Sequence, residues 1–189
     1  MPIAWHTQLP EDLYAAIGKV AHATAQLDVM LTEFAETLAD SSVVWLLVTG
    51  QSTDTLVQTC QRLLEEVDPF GTAYPDGFRK RIDARLEELG RLRQLRNQVV
   101  HGTWSKYPFD EQPKPRPFGG AENDETFWVA RERIRRISDE QAMTRSDVEE
   151  LASRIDDVTA RIIREWRLIT PHESDWPPFR RWHQTQRGD

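Results

Sequence analysis

The stretch Arg96-Asn97-Gln98-Val99-Val100-His101-Gly102 brings a permanent cation, an amide and an imidazole together at a predicted helix end. Arg stays charged and grips phosphate oxygens in a planar fork. His exchanges protons near neutral pH. The trio therefore suits phosphodiester chemistry. On an α-helix, residues four apart share a face, so Asn97 and His101 project together. Arg96 stands about 100° round the helix from Asn97. Gly102 reads as a natural C′ residue, which puts His101 in the last turn, where its ring swings more freely than in mid-helix.

The element that must carry this trio is a long helix starting after Asp76, which reads as its N-cap, with Phe78, Ile82, Leu86, Leu89, Leu92, Leu95 and Val99 as its core stripe. Another long helix is predicted from Pro10 onward. Its seam is Leu13, Ile17, Val20, Thr24, Leu27, Leu31, Phe34 and Leu38, at alternating steps of four and three. His22 lies off that stripe and reads as solvent-facing. Val43–Thr49 fits a short buried helix or a strand, and the helical surroundings favour helix. Ser52 or Thr53 then caps a helix with Leu56, Cys60, Leu63 and Val67, closed by Pro69 and Gly71.

After Gly102 the pattern changes. Thr103–Tyr107 and Thr126–Arg131 carry Trp104, Tyr107, Phe127, Trp128 and Val129 and read as a two-stranded hairpin. A loop rich in Pro and Gly joins them, long enough to be mobile or functional. The last helix starts near Thr144 or Ser146, and Ser146 with Glu149 matches a capping box. Its stripe is Val148, Leu151, Ile155, Val158, Ile162, Trp166 and Ile169. The fold expected is all-α: an up-and-down helical bundle over residues 1–170, with a small β-hairpin before the last helix. Residues 171–189 form a polar tail carrying Trp176, Phe179 and Trp182.

Composition narrows the function. The chain of 189 residues has a net charge of -7, which argues against a general nucleic-acid coat. Basic residues nevertheless gather around the motif, from Arg79 to Lys106, and again at Arg131, Arg133, Arg135 and Arg136. Single charges on such faces are most simply solvated or paired along the helix. No apolar run is long enough to span a membrane. The N-terminus lacks the basic and apolar regions of a secretory signal. Cys60 is the sole cysteine and fits a reducing cytosol, so a cytoplasmic location is expected. No Glu-x-x-His, Cys-x-x-Cys, His-Glu-x-x-His or P-loop occurs.

An Arg, a polar residue, three more residues and a His, late in a helix of an all-α bundle, resembles the HEPN superfamily. The resemblance covers roughly residues 11–169 and rests on Arg96, Asn97 and His101 together with the helix order. It implies a metal-independent endoribonuclease, of the kind found among toxins and antiviral effectors, working as a homodimer whose two motifs form one site. It implies no cofactor and no metal. Arg96, Asn97 and His101 would be catalytic, and Arg93, Trp104 and Lys106 would touch RNA. Trp104 and Tyr107 are candidates to stack an unpaired base, against the alternative that they pack the hairpin onto the bundle. An antitoxin or regulatory protein is a further expected partner. The competing assignment is a non-catalytic interaction or scaffold module binding a protein or nucleotide. In that case Arg96 would form a salt bridge, Asn97 a structural hydrogen bond, and His101 would complement the helix end.

Overall fold

A computed structural model describes residues 9–68, 73–108, 115–119, 124–133 and 136–170, the side chains of 131–139 excepted. The expected aromatic tail, with Trp176, Phe179 and Trp182, lies outside the described residues. The chain is mostly helical, with a small antiparallel sheet. Its elements are α1 (Glu11–Leu38), α2 (Ser42–Val48), α3 (Thr53–Val67), α4 (Phe78–His101), β1 (Thr103–Ser105), β2 (Thr126–Arg133), β3 (Arg136–Thr144) and α5 (Arg145–Ile169). They divide between two compact units, Met1–Thr24 with Leu92–Ile155 and Ala25–Arg91 with Asp156–Asp189. No helix among the described residues is long and apolar enough to cross a membrane.

The first unit holds the sheet, in the order β1-β2-β3. The expected hairpin pairing is present, with Thr103 opposite Ala130, Trp104 opposite Val129 and Ser105 opposite Trp128. A further strand, β3, goes beyond the expected hairpin. It pairs with β2 from Thr126 opposite Thr144 to Arg133 opposite Arg136, with an irregularity between Val129 and Arg131. Its sequence, RISDEQAMT, has few β-branched residues and so lacks an ordinary strand signature. Burial supplies what propensity does not: Phe127 and Val129 on β2 and their partners Met143 and Gln141 on β3 are all buried. The helical part of this core includes Leu13, Ala16 and Val20 of α1 and Val148, Leu151 and Ile155 of α5.

Helix α5 starts directly after Thr144, one of the two expected positions, but its capping box is not the expected pair. The reciprocal cap is Thr144 with Asp147, two residues earlier than Ser146 with Glu149. The Thr144 amide and hydroxyl both donate to Asp147 Oδ2 at 2.9 Å, and the Asp147 amide donates to Thr144 Oγ1 at 3.3 Å. Arg116 Nε donates to the same Oδ2 at 3.0 Å, and Arg116 Nη2 donates to Thr144 Oγ1 at 3.2 Å. The Gln141 side-chain Nε2 also donates to the Pro115 carbonyl, and the Arg154 guanidinium lies 4.5 Å from the centre of the Phe118 ring. Residues 115–119 are thereby tied down, at the centre of a loop expected to be mobile or functional.

Burial pushes the Asp147 carboxyl up, but the Thr144 amide and hydroxyl and the Arg116 guanidinium outweigh it and hold the carboxyl below its ordinary range. A depressed folded-state value contributes stability above the unfolded carboxyl value, near 4, and that contribution is lost as pH falls through the folded value. The melting temperature should therefore drop below about pH 4. Asp147→Asn should lower it at pH 7 and flatten the acid dependence. Thr144→Ala should cost about 1 kcal/mol in urea unfolding, as for loss of a helix cap.

The second unit is built around apolar stripes from α1, α3, α4 and α5. Phe34 and Trp166 meet with ring centres 5.6 Å apart and planes tilted by 59°. Leu56, Cys60 and Leu64 of α3 are buried, so its inward step runs through Leu64, with Leu63 only half-buried. Thr53 Oγ1 donates to Asp28 Oδ1 at 2.6 Å, and Arg81 pairs with Glu165 at 2.8 Å. Val43–Thr49 is helical through Val48, as its surroundings favour, but it is not a buried segment. Val43, Leu46 and Leu47 are exposed, and within α2 only Val48 is buried.

Candidate functional site

The motif occupies the last turns of α4, in the first unit. Leu92, Gln98 and Val99 are buried and fix which face of α4 points inward. That leaves Arg96 and Asn97 half-buried at the edge of the stripe and His101 exposed at the final helical residue. Arg96 Nη1 donates to Asn97 Oδ1 at 2.8 Å. His101 makes no side-chain hydrogen bond to another described residue. The helix thus holds a guanidinium and an amide in direct contact and offers an imidazole to solvent one turn further on.

The start of α4 departs from the sequence expectation, whereas its end falls as expected at His101 with Gly102 next. At the start, Asp76 is not the side-chain cap. Gly77, with φ of 72°, makes the turn, the Phe78 amide donates to the Pro75 carbonyl at 2.9 Å, and the Asp76 carbonyl accepts from Arg81 Nη1 at 3.0 Å. At the end, Gly102 does not have the positive φ of a left-handed cap. Its amide continues the helix by donating to the Gln98 carbonyl at 2.8 Å. Glycine is required there because the sheet comes so close. A Cβ would sit against the Gln98 carbonyl oxygen, 2.5 Å from Val129 Cγ2 and 3.2 Å from the Ala130 carbonyl oxygen.

Trp104 completes the anchorage. Its indole Nε1 donates to the Val99 carbonyl at 3.1 Å and so satisfies one of the carbonyls that a helix end leaves without a partner. The residue is half-buried, and its polar edge is engaged in holding the motif helix to β1. Lys106 is exposed and pairs with Glu125 at 3.4 Å. Arg93 is half-buried on α4, three residues before Arg96. Tyr107 is 77% exposed just beyond β1. The motif trio, Trp104, Lys106 and Tyr107 all belong to the first unit.

An open cleft of about 560 Å³ lies along the first half of α4, in the second unit. Gly77, Arg79, Lys80, Asp83, Ala84 and Glu87 line it, and none of the motif residues does. Burial, with the negative charges of Glu65 and Glu87, pushes the Asp83 carboxyl up against the opposing pull of Arg79. The mixture of charges offers no clear preference for an anion or a cation. Among the described residues, no three His, Cys, Asp or Glu side chains gather closely enough to hold a metal ion.

The chain matches no protein-family model, no curated protein and no solved structure.

Proposed function

We propose that the chain is a HEPN-like helical-bundle endoribonuclease that cleaves RNA without metal, at a site shared between two copies. The observation that carries this reading is the Arg96–Asn97 hydrogen bond of 2.8 Å at the edge of α4, with His101 exposed at the helix end. In the reaction an RNA 2′-oxygen attacks the adjacent phosphorus. The 2′ proton passes to one His101 imidazole as the O2′–P bond forms. The P–O5′ bond then breaks, and the departing 5′-oxygen takes a proton from the imidazolium of the other copy's His101. Arg96 offsets the charge that builds on the non-bridging oxygens. Asn97 orients Arg96 through its carbonyl oxygen and has two amide protons to offer a phosphate. Arg93 and Lys106 add cationic contacts along the strand. The products are a 2′,3′-cyclic phosphate and a free 5′-hydroxyl.

One His cannot readily act on opposite sides of phosphorus, and a two-fold dimer supplies the second. Light scattering at micromolar concentration should give twice the 22.0 kDa chain mass. A strictly monomeric mass would remove the composite site. A toxin or antiviral role fits an enzyme of this class, held in check by an antitoxin or regulatory protein, and a cytoplasmic location suits both its substrate and its lone thiol. The decisive experiment incubates purified protein with single-stranded, structured and transfer RNAs in chelator. Cleavage leaving 2′,3′-cyclic ends is expected. Intact RNA in all three would favour the non-catalytic interaction module.

A further inference from the structure

We propose that Tyr107 is a base-stacking residue that holds an unpaired base of the RNA beside the Arg96–His101 centre. This inference rests on the ribonuclease reading and adds a substrate-contacting residue to it. Tyr107 is 77% exposed, more than any other large apolar side chain among the described residues. Its backbone is nonetheless held, because its amide donates to Ser105 Oγ at 3.1 Å. An aromatic ring presented to water from an anchored turn is what a stacking platform requires, since every base has a π-face to place on it. Trp104 serves differently, with its indole engaged at the helix end.

The residues between the two are each at least partly exposed. β1 is an edge strand of the sheet, so among the described residues no strand covers its outer side. Exposed His101 precedes it, half-exposed Thr103, Trp104 and Ser105 form it, and exposed Lys106 and Tyr107 follow. The six residue steps from His101 to Tyr107 span at most about 20 Å even when fully extended. That is within reach of a strand a few nucleotides long. Lys106 and Glu125 are both well exposed, and such surface pairs contribute little. Lys106 can therefore exchange its carboxylate partner for a phosphate of the same strand. In an A-form duplex the bases are stacked inside the helix and shielded from an aromatic side chain, so stacking on Tyr107 selects unpaired RNA.

The test measures binding separately from cleavage. In the full chain carrying His101→Ala, fluorescence anisotropy follows a labelled ten-nucleotide single-stranded RNA in chelator at low salt. Adding Tyr107→Ala should weaken binding by about 5- to 150-fold, the range that corresponds to losing about 1–3 kcal/mol of base stacking. Tyr107→Phe should restore it, since the ring and not the hydroxyl carries the contact. The same sequence as a duplex should lose nothing on Tyr107→Ala. Equal binding with and without the ring overturns the Tyr107 assignment and leaves the ribonuclease reading standing. A wild-type chain that neither binds nor cuts any RNA overturns that reading itself. Tyr107 is exposed, so its replacement leaves the core intact, and an unchanged thermal melt verifies this.

Discussion

Replacing His101 with Ala is expected to lower RNA cleavage by at least about 100-fold, a barrier increase of about 2.7 kcal/mol. The side chain is exposed at the end of α4, so its removal empties no core space, and folding should be unchanged by circular dichroism and thermal melting. Arg96→Ala should cost a similar factor through lost charge stabilisation. Arg96→Lys separates charge from geometry: it keeps the cation but loses the planar fork that meets both Asn97 and phosphate. Asn97→Ala should cost less than either, because Asn97 orients a charge and transfers no proton. Single-turnover cleavage of a short RNA measures all four variants. If His101→Ala cuts as fast as the unmodified chain, the site has been misassigned even though the activity class survives.

Gly102→Ala should destabilise the first unit by about 3 kcal/mol in urea unfolding, at the upper end of ordinary overpacking effects. The new methyl group would meet the Gln98 carbonyl and lie 2.5 Å from Val129 Cγ2. Relief requires moving either the last turn of α4 or strand β2. The first of these displaces His101, so cleavage should fall along with stability. Two other glycines provide the contrast. Gly18 and Gly90 lie inside helices, and beyond the helix's own backbone no heavy atom comes within 4 Å of where a Cβ would stand. Ala at either should stabilise by roughly 0.5–1 kcal/mol through reduced backbone entropy in the unfolded chain. Equal effects at positions 18, 90 and 102 would remove the close-approach argument.

The long helices were legible because each has enough turns for its stripe to repeat. Leu13, Val20, Leu27, Leu31, Phe34 and Leu38 of α1 are all buried as their spacing requires, and so are Val148, Leu151, Ile155, Val158, Ile162 and Trp166 of α5. The end of the motif helix at His101 was also readable. What could not be read depended on neighbours distant in sequence. β3 is a strand because β2 lies beside it, and its own residues carry little strand preference. Gly102 was recognisable as a helix end, but the approach of Val129 and Ala130 is a tertiary fact invisible in a heptapeptide. Thr144 and Asp147 do form a Thr-x-x-Asp pattern, which was open to recognition as the cap. The contribution of Arg116 to it, from 31 residues away, was not. The exposure of α2 was hidden for a similar reason, since a short apolar run looks the same whether or not something covers it.

Cys60 gives the molecule a built-in reporter. Its thiol is fully buried against the Leu31 carbonyl, and burial pushes it up to about 12, so the native state offers almost no thiolate to an alkylating reagent. It is also the only cysteine in the chain. Each alkylation event therefore records one excursion in which the second unit has opened, and the labelling rate counts such openings without an added probe. The motif lies in the first unit, so the same measurement on an RNA-bound chain asks whether occupying one unit quiets the other.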